Sequence, residues 1–303
     1  MSSTVLQLIQ QAAPEMGLAT PSTAVGNTNQ EVVQLLALIN ACGKELVNEF
    51  QWQTLTTEYR FTTVFYQYTG NTTIARVTVT GMSSIVSLDT NFMVSGVGVP
   101  TDTYVSDATG TSVVMTQAAT ETATGSTFTF AQTKYTLPTD YDRQVDVTDW
   151  DKTQHWELLG PATAQQWQWL KSGWIASSPR TYYRLLGGKF QIWPPQGENL
   201  YLGFEYISNY WVTATGGSAP SKVAFTVDTD TCIFSDRLMV LYLKKKFFEI
   251  KGFDTTAFDR DFRAELDNTK AADAGSPTLN QAPQIRSVLI SLDNVPDSGF
   301  GDV

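Results

Sequence analysis

The sequence predicts an α+β protein: a helical bundle of N-terminal helices plus two C-terminal helices, a β-rich body, an inserted β-sandwich domain and an extended C-terminal tail. Three observations carry this reading. Apolar residues recur at helical spacing near both ends of the chain. Thr-rich and aromatic runs alternate through the middle. One internal stretch, 70–131, is composed unlike its surroundings.

Taken in order, Ser2 or Ser3 is placed to cap a short helix through Val5, Leu6, Leu8 and Ile9, closed by Pro14 and Gly17. Asn27 or Asn29 caps a longer helix over 30–51. Its Val32, Leu35, Leu36, Ile39, Leu46, Val47 and Phe50 recur at three- and four-residue steps. These two helices are expected to pack as a hairpin. Strand character follows from Leu55 to Tyr68. The stretch 70–131 is then dominated by Thr, Ser, Val, Ala and Gly, with alternating runs at 77–80, 112–115 and 127–130 between glycine turns. With it removed, Tyr59–Tyr68 and Thr133–Leu137 become hairpin neighbours. A hairpin loop tolerates an inserted domain because its ends lie close together. The expected domains are therefore a core of helical bundle plus β body over 1–69 and 132–271, an insert over 70–131 and a tail over 272–303.

Pro161 and Gly173 bracket a short helix, 162–172. Tyr182–Leu186 and Lys189–Trp193 form a hairpin around Gly187-Gly188. Leu200, Leu202, Phe204 and Tyr206 alternate along the next strand. Ser235 or Asp236 caps a helix that Gly252 ends, and Asp254 or Thr255 caps the last one, through Phe258, Phe262 and Leu266. The tail has Pro277, Pro283 and Pro296, which discourage regular structure. It also has an apolar group, Ile285, Val288, Leu289, Ile290 and Leu292, that suits docking on another chain.

Composition narrows the function. The net charge is −10, from 20 Lys plus Arg and 30 Asp plus Glu. Such a chain repels phosphates, which argues against sequence-independent nucleic-acid binding as its task. Charged residues are 17%, below the roughly 25% usual in soluble proteins, so much of the surface is expected to be neutral or covered by partners. Cys42 and Cys232 are distant and show no zinc spacing, and read as buried thiols. His155 is the single histidine and sits in a polar and aromatic stretch, a poor setting for a triad. No apolar run is long enough for a membrane span, and the N-terminus lacks the basic and apolar regions of a signal peptide.

Other groups are weighed the same way. Trp150, Trp156, Trp167, Trp169, Trp174, Trp193 and Trp211 could stack on sugars, but more often such residues build cores and interfaces. Asp140/Asp142, Asp149/Asp151 and Asp259/Asp261 are too close in sequence to flank a glycosidic bond. Asp228 and Asp230 form only a fragment of a calcium loop. Lys244-Lys245-Lys246 reads as a solvated helix face or as ion pairs with an acidic neighbouring subunit. No phosphate-binding glycine loop is present. The expectation is no catalytic residue, no cofactor and no metal.

Several segments together resemble a known family. They are Leu46-Val47-Asn48-Glu49-Phe50-Gln51-Trp52, Thr57–Thr63, Tyr135-Thr136-Leu137-Pro138-Thr139-Asp140-Tyr141-Asp142-Arg143, Leu158-Leu159-Gly160-Pro161 before Trp167, Tyr182–Gly188, Phe204–Ser208 and the helix Leu238–Lys246. In this order they are similar to the head-to-tail adaptor (connector) proteins of tailed bacteriophages. The segment 70–131 separately looks like an Ig-like or other small β domain of phage structural proteins.

The resemblance implies a non-enzymatic virion protein of the neck, assembled in the host cytoplasm. It implies a homo-oligomeric ring, commonly of twelve copies, docked under the portal protein. Genomic DNA would pass through the ring without sequence-specific binding, and on the distal side a tail tube, nozzle or fibre protein would attach. The tail residues Ile285, Val288, Leu289, Ile290 and Leu292 would bind the portal. The competing expectation is a carbohydrate-binding virion or surface protein using the tryptophans and the β insert.

Overall fold

The computed structural model describes residues 3–86, 88–172, 180–197 and 199–274. Among them the chain is mixed α+β, with antiparallel sheets and no closed barrel. The helices are α1 (Val5–Glu15), α2 (Gln30–Glu49), α3 (Ala164–Lys171), α4 (Asp236–Ile250) and α5 (Thr256–Ala274). The described residues fall into two compact units, one of 3–57, 140–144 and 206–274, the other of 58–139 and 145–205.

In the first unit α4 is the central element. Ser235 caps it by accepting from the Leu238 N–H, and Asp236 adds a favourable charge to the first turn. Its buried residues Leu238, Met239, Val240, Tyr242, Leu243 and Phe247 cover more than one face. That breadth lets α1, α2 and α5 each pack against α4. The expected α1–α2 hairpin is therefore replaced by two helices resting on a third. The cap of α1 is also one residue on from expectation. Thr4 and Gln7 form a reciprocal capping box. Ser3 is instead tied to α4, its N–H and hydroxyl donating to the Asp236 carboxylate at 3.0 and 2.6 Å. Asn29 caps α2 as the sequence indicates, accepting from the Glu31 N–H at 2.9 Å.

A three-stranded sheet completes this unit, Val212–Thr213 lying between Pro220–Lys222 and Thr231–Cys232. Thr4 bridges to Thr231, and the Val5 N–H donates to the Asp230 carbonyl at 2.9 Å. Trp211 and Trp52 are buried here, both edge-on to phenylalanines, Phe225 and Phe234 respectively.

The second unit holds most of the remaining strands. Thr56–Thr62 lies beside Tyr201–Ser208, followed by Trp150–Asp151 and Trp156–Glu157. The predicted hairpin Tyr182–Leu186/Lys189–Trp193 forms in register, with Gly187 at φ 63° and Gly188 at φ 69°. Both angles are positive, as a tight two-residue hairpin turn requires. Phe61, Tyr135, Tyr183, Phe190 and Phe204 stack or meet edge-on through this body.

Pairing departs from expectation around residues 59–68. The strand breaks at Thr63-Val64. Thr63 turns inward, its N–H donating to the Leu200 carbonyl and its Oγ1 accepting from the Leu200 N–H. Phe65–Thr72 then pairs with Ala123–Gln132, while Lys134–Thr136 pairs with Lys189–Trp193. The Tyr59–Tyr68/Thr133–Leu137 hairpin is thus not formed. Phe65–Thr72, Ala123–Gln132 and Phe92–Gly96 make one three-stranded sheet, and Thr78–Val79, Ser112–Met115 and Val105–Thr109 another. Val79, Val94, Val105, Val113, Met115, Phe128 and Phe130 join the two in a common core.

Candidate functional site

In the first unit a cleft of about 510 Å³ lies above α4, walled by α2 and α5. It exists because α5 packs on α4 with only one face. Phe262 and Leu266 are buried there, while Arg260 and Arg263 stay in water. The floor is apolar: Tyr242 stacks on Phe262 with ring centroids 4.3 Å apart. The rims carry Glu45 and Glu49 from α2, and Arg263, Asp267 and Lys270 from α5.

Glu45, Glu49, Arg263 and Lys270 are each in an ion pair. The Tyr242 hydroxyl donates to Glu45, and Lys246 reaches the same carboxylate at 2.9 Å. Burial raises the Glu45 pKa, but those two donors outweigh it and hold the carboxyl below its usual value. Burial first, then Glu45, push the Tyr242 phenol up. Lys245 bridges to Asp259 at 2.5 Å and lies 4.9 Å from the Phe262 ring centroid, a cation–π contact. Arg263 also reaches Asp259, at 2.7 Å, and Lys270 reaches Glu49 at 3.2 Å. Lys244 pairs with Glu15 of α1 at 2.5 Å. The lysine triplet therefore meets acids of its own chain.

The other sequence candidates are structural. The Asp140 carboxylate accepts from the Tyr206 and Ser208 hydroxyls. Asp142 pairs with Arg143, whose other guanidinium nitrogen donates to the Val47 and Phe50 carbonyls at the end of α2. Asp151 caps a turn by accepting from the Thr153 and Gln154 N–H groups. Asp261 pairs with Arg260. Asp149 is buried. Asp228 accepts from the Ala24 and Val25 N–H groups, and Asp230 is fully buried against Lys222. Both aspartates thus hold loops together. Among the described residues no group of three His, Cys, Asp or Glu is placed to hold a metal ion. His155 lies in a left-handed turn, φ 56°. Burial pushes both thiols, Cys42 and Cys232, up to about 12, so they are inert.

Trp167, Trp193 and Trp211 are buried and Trp169 is 53% exposed, so these side chains mainly fill cores. Trp174 and the tail residues Ile285, Val288, Leu289, Ile290 and Leu292 lie outside the described residues. Sequence reasoning missed the cleft. Its signals were the four-residue step from Glu45 to Glu49 and the single apolar stripe of α5.

No helix of the described residues is long and apolar enough to cross a membrane. Curated proteins give no match. The family model described as SU10 adaptor protein matches residues 98–283. That span runs from within the two-sheet β segment through the aromatic body to α4 and α5. The match takes in well over half of the chain, which therefore belongs to the SU10 adaptor protein family, structural adaptor proteins of phages.

Proposed function

We propose that this chain is a head-to-tail adaptor that assembles into a ring beneath the portal, commonly of twelve copies, in the virion neck. The observation that carries the reading is the family match across 98–283. The structure adds support: Asp140, Asp142 and the lysine triplet 244–246, which the sequence offered as candidates, are held in contacts within the chain. Its work is mechanical and no catalytic residue is assigned. It would seal the filled head, pass genomic DNA without reading it, and present a platform for a tail tube, nozzle or fibre protein.

Within this reading the tail, 272–303, reaches the portal through Ile285, Val288, Leu289, Ile290 and Leu292. The core comprises 1–69 and 132–271. The segment 70–131 is an inserted small β-sandwich of Ig-like kind, and its two-sheet core supports that assignment. Deleting residues 277–303 tests the tail assignment. Particles are expected to package DNA but to lose tails or leak. If the truncated protein binds portals as tightly as the full chain, the tail is not the portal contact.

A further inference from the structure

A cluster of lysines in the second unit is not absorbed by the adaptor reading. Lys134 and Lys189 sit on paired strands, in a register that sets Gln191 opposite Lys134 and Thr136 opposite Lys189. Residues directly opposite share a face, as do residues two apart on a strand, so Lys134 and Lys189 lie on the same face. Lys171, the last residue of α3, reaches the same corner. The Lys134 Nζ lies 4.0 Å from the Tyr104 ring centroid and the Lys171 Nζ 5.2 Å from it. The Lys134 and Lys171 ammonium groups are thus within roughly one Debye length, about 8–10 Å, of each other, and the charge of Lys189 also acts on Lys134.

Their compensation is incomplete. Two carboxylates, Asp102 and Asp89, are near enough for their charges to act on Lys134, and Lys171 takes Asp102 at 2.8 Å. Asp89 is turned to the Asn91 backbone and amide N–H groups at 2.9 and 2.6 Å. Lys134 donates only to the Thr90 carbonyl, at 3.2 Å, and Lys189 to the Asn91 amide oxygen. Among the described residues neither makes an ion pair, whereas all three lysines of the 244–246 triplet do. Burial first, then the charges of Lys171 and Lys189, hold the Lys134 pKa below the usual lysine value. Gathering cations this way is costly unless an anion joins them.

We propose that Lys134, Lys171 and Lys189 form a binding site for a phosphate oxyanion. Ammonium groups act as point charges with several donors, and they suit a multivalent tetrahedral anion better than a planar carboxylate, which favours an arginine fork. The −10 net charge of the chain does not forbid this, because salt screens distant acids and leaves the local excess to decide. The phosphate could come from solution or from the DNA backbone. The proposal is independent of the adaptor reading.

The test uses the full chain, with inorganic phosphate and, separately, a short DNA duplex, against chloride at equal ionic strength. Lysine side-chain NMR is expected to show saturable phosphate shifts at Lys134 and Lys189, with the Lys134 pKa rising. Lys134→Gln and Lys189→Gln should each weaken phosphate binding at least tenfold, while Lys251→Gln leaves it unchanged. Circular dichroism identifies any variant that fails to fold, and the other then decides. A duplex that competes with phosphate, and loses affinity in the same variants, identifies DNA as the source. A duplex that does not compete identifies free phosphate. Equal responses to chloride and phosphate, or variants that bind phosphate normally, would overturn the proposal.

Discussion

Gly43 of α2 lies directly under the indole of Trp211: a Cβ built on Gly43 would fall 2.2 Å from Cη2 and Cζ2 of that ring. Trp211 is fully buried and its Nε1 donates to the Val223 carbonyl at 2.9 Å, so the ring has nowhere to go. The closeness of α2 to this sheet therefore depends on one missing methyl group.

Gly43→Ala is accordingly expected to destabilise the protein. In an ordinary helix interior the change would stabilise by about 1 kcal/mol. Here overpacking against the indole should cost about 1–3 kcal/mol. Urea unfolding checks it, and a raised midpoint would refute the packing account.

Asp230 is fully buried, and its carboxylate accepts from Lys222 Nζ at 2.8 and 2.9 Å and from the Thr226 and Val227 N–H groups. Burial raises its pKa, but Lys222 and the two backbone donors outweigh burial and lower it below the usual 3.8. A lowered carboxyl pKa contributes stability that is present above the unfolded-state value and is lost as pH falls through the folded one. Stability should therefore drop in acid below about pH 4. Asp230→Asn should flatten part of that drop and cost about 3 kcal/mol at neutral pH, because Lys222 loses its partner. Chemical denaturation across pH 2–7 measures both.

The Gly187-Gly188 turn offers a paired comparison. Alanine at both positions should cost about 1–2 kcal/mol per residue, since each must hold a positive φ. Gly187→Asn should be nearly neutral, because asparagine accepts the first position of such a turn. Thermal unfolding of the two variants separates the outcomes.

Cys42 and Cys232 should resist alkylation in the folded protein at pH 8, where thiols pushed up to about 12 are almost wholly protonated and both are buried. In denaturant both should react fully. Rapid labelling of either native thiol would show that its helix or sheet opens.

Local chemistry made much of the fold legible. Asn29, Ser235 and Gly187-Gly188 act where their side-chain or backbone preferences place them. Long-range choices were less visible. Whether Ser3 or Thr4 caps α1 depends on Asp236, distant in sequence. The strand break at Thr63 depends on Leu200. Helical spacing showed that α4 was apolar, but not that α1, α2 and α5 would all rest on it. The triplet Lys244–Lys246 was visible as a run of charge, while its partners Glu15, Asp259 and Glu45 come from three separate helices.

On the proposed function, copies of this chain form a ring that joins portal to tail. Electron micrographs of the full-length protein mixed with portal test it most directly. The account predicts a ring seated under the portal, its central opening continuous with the portal channel and wide enough for a DNA duplex. Single copies that leave the portal bare, or an assembly without a central opening, would contradict it.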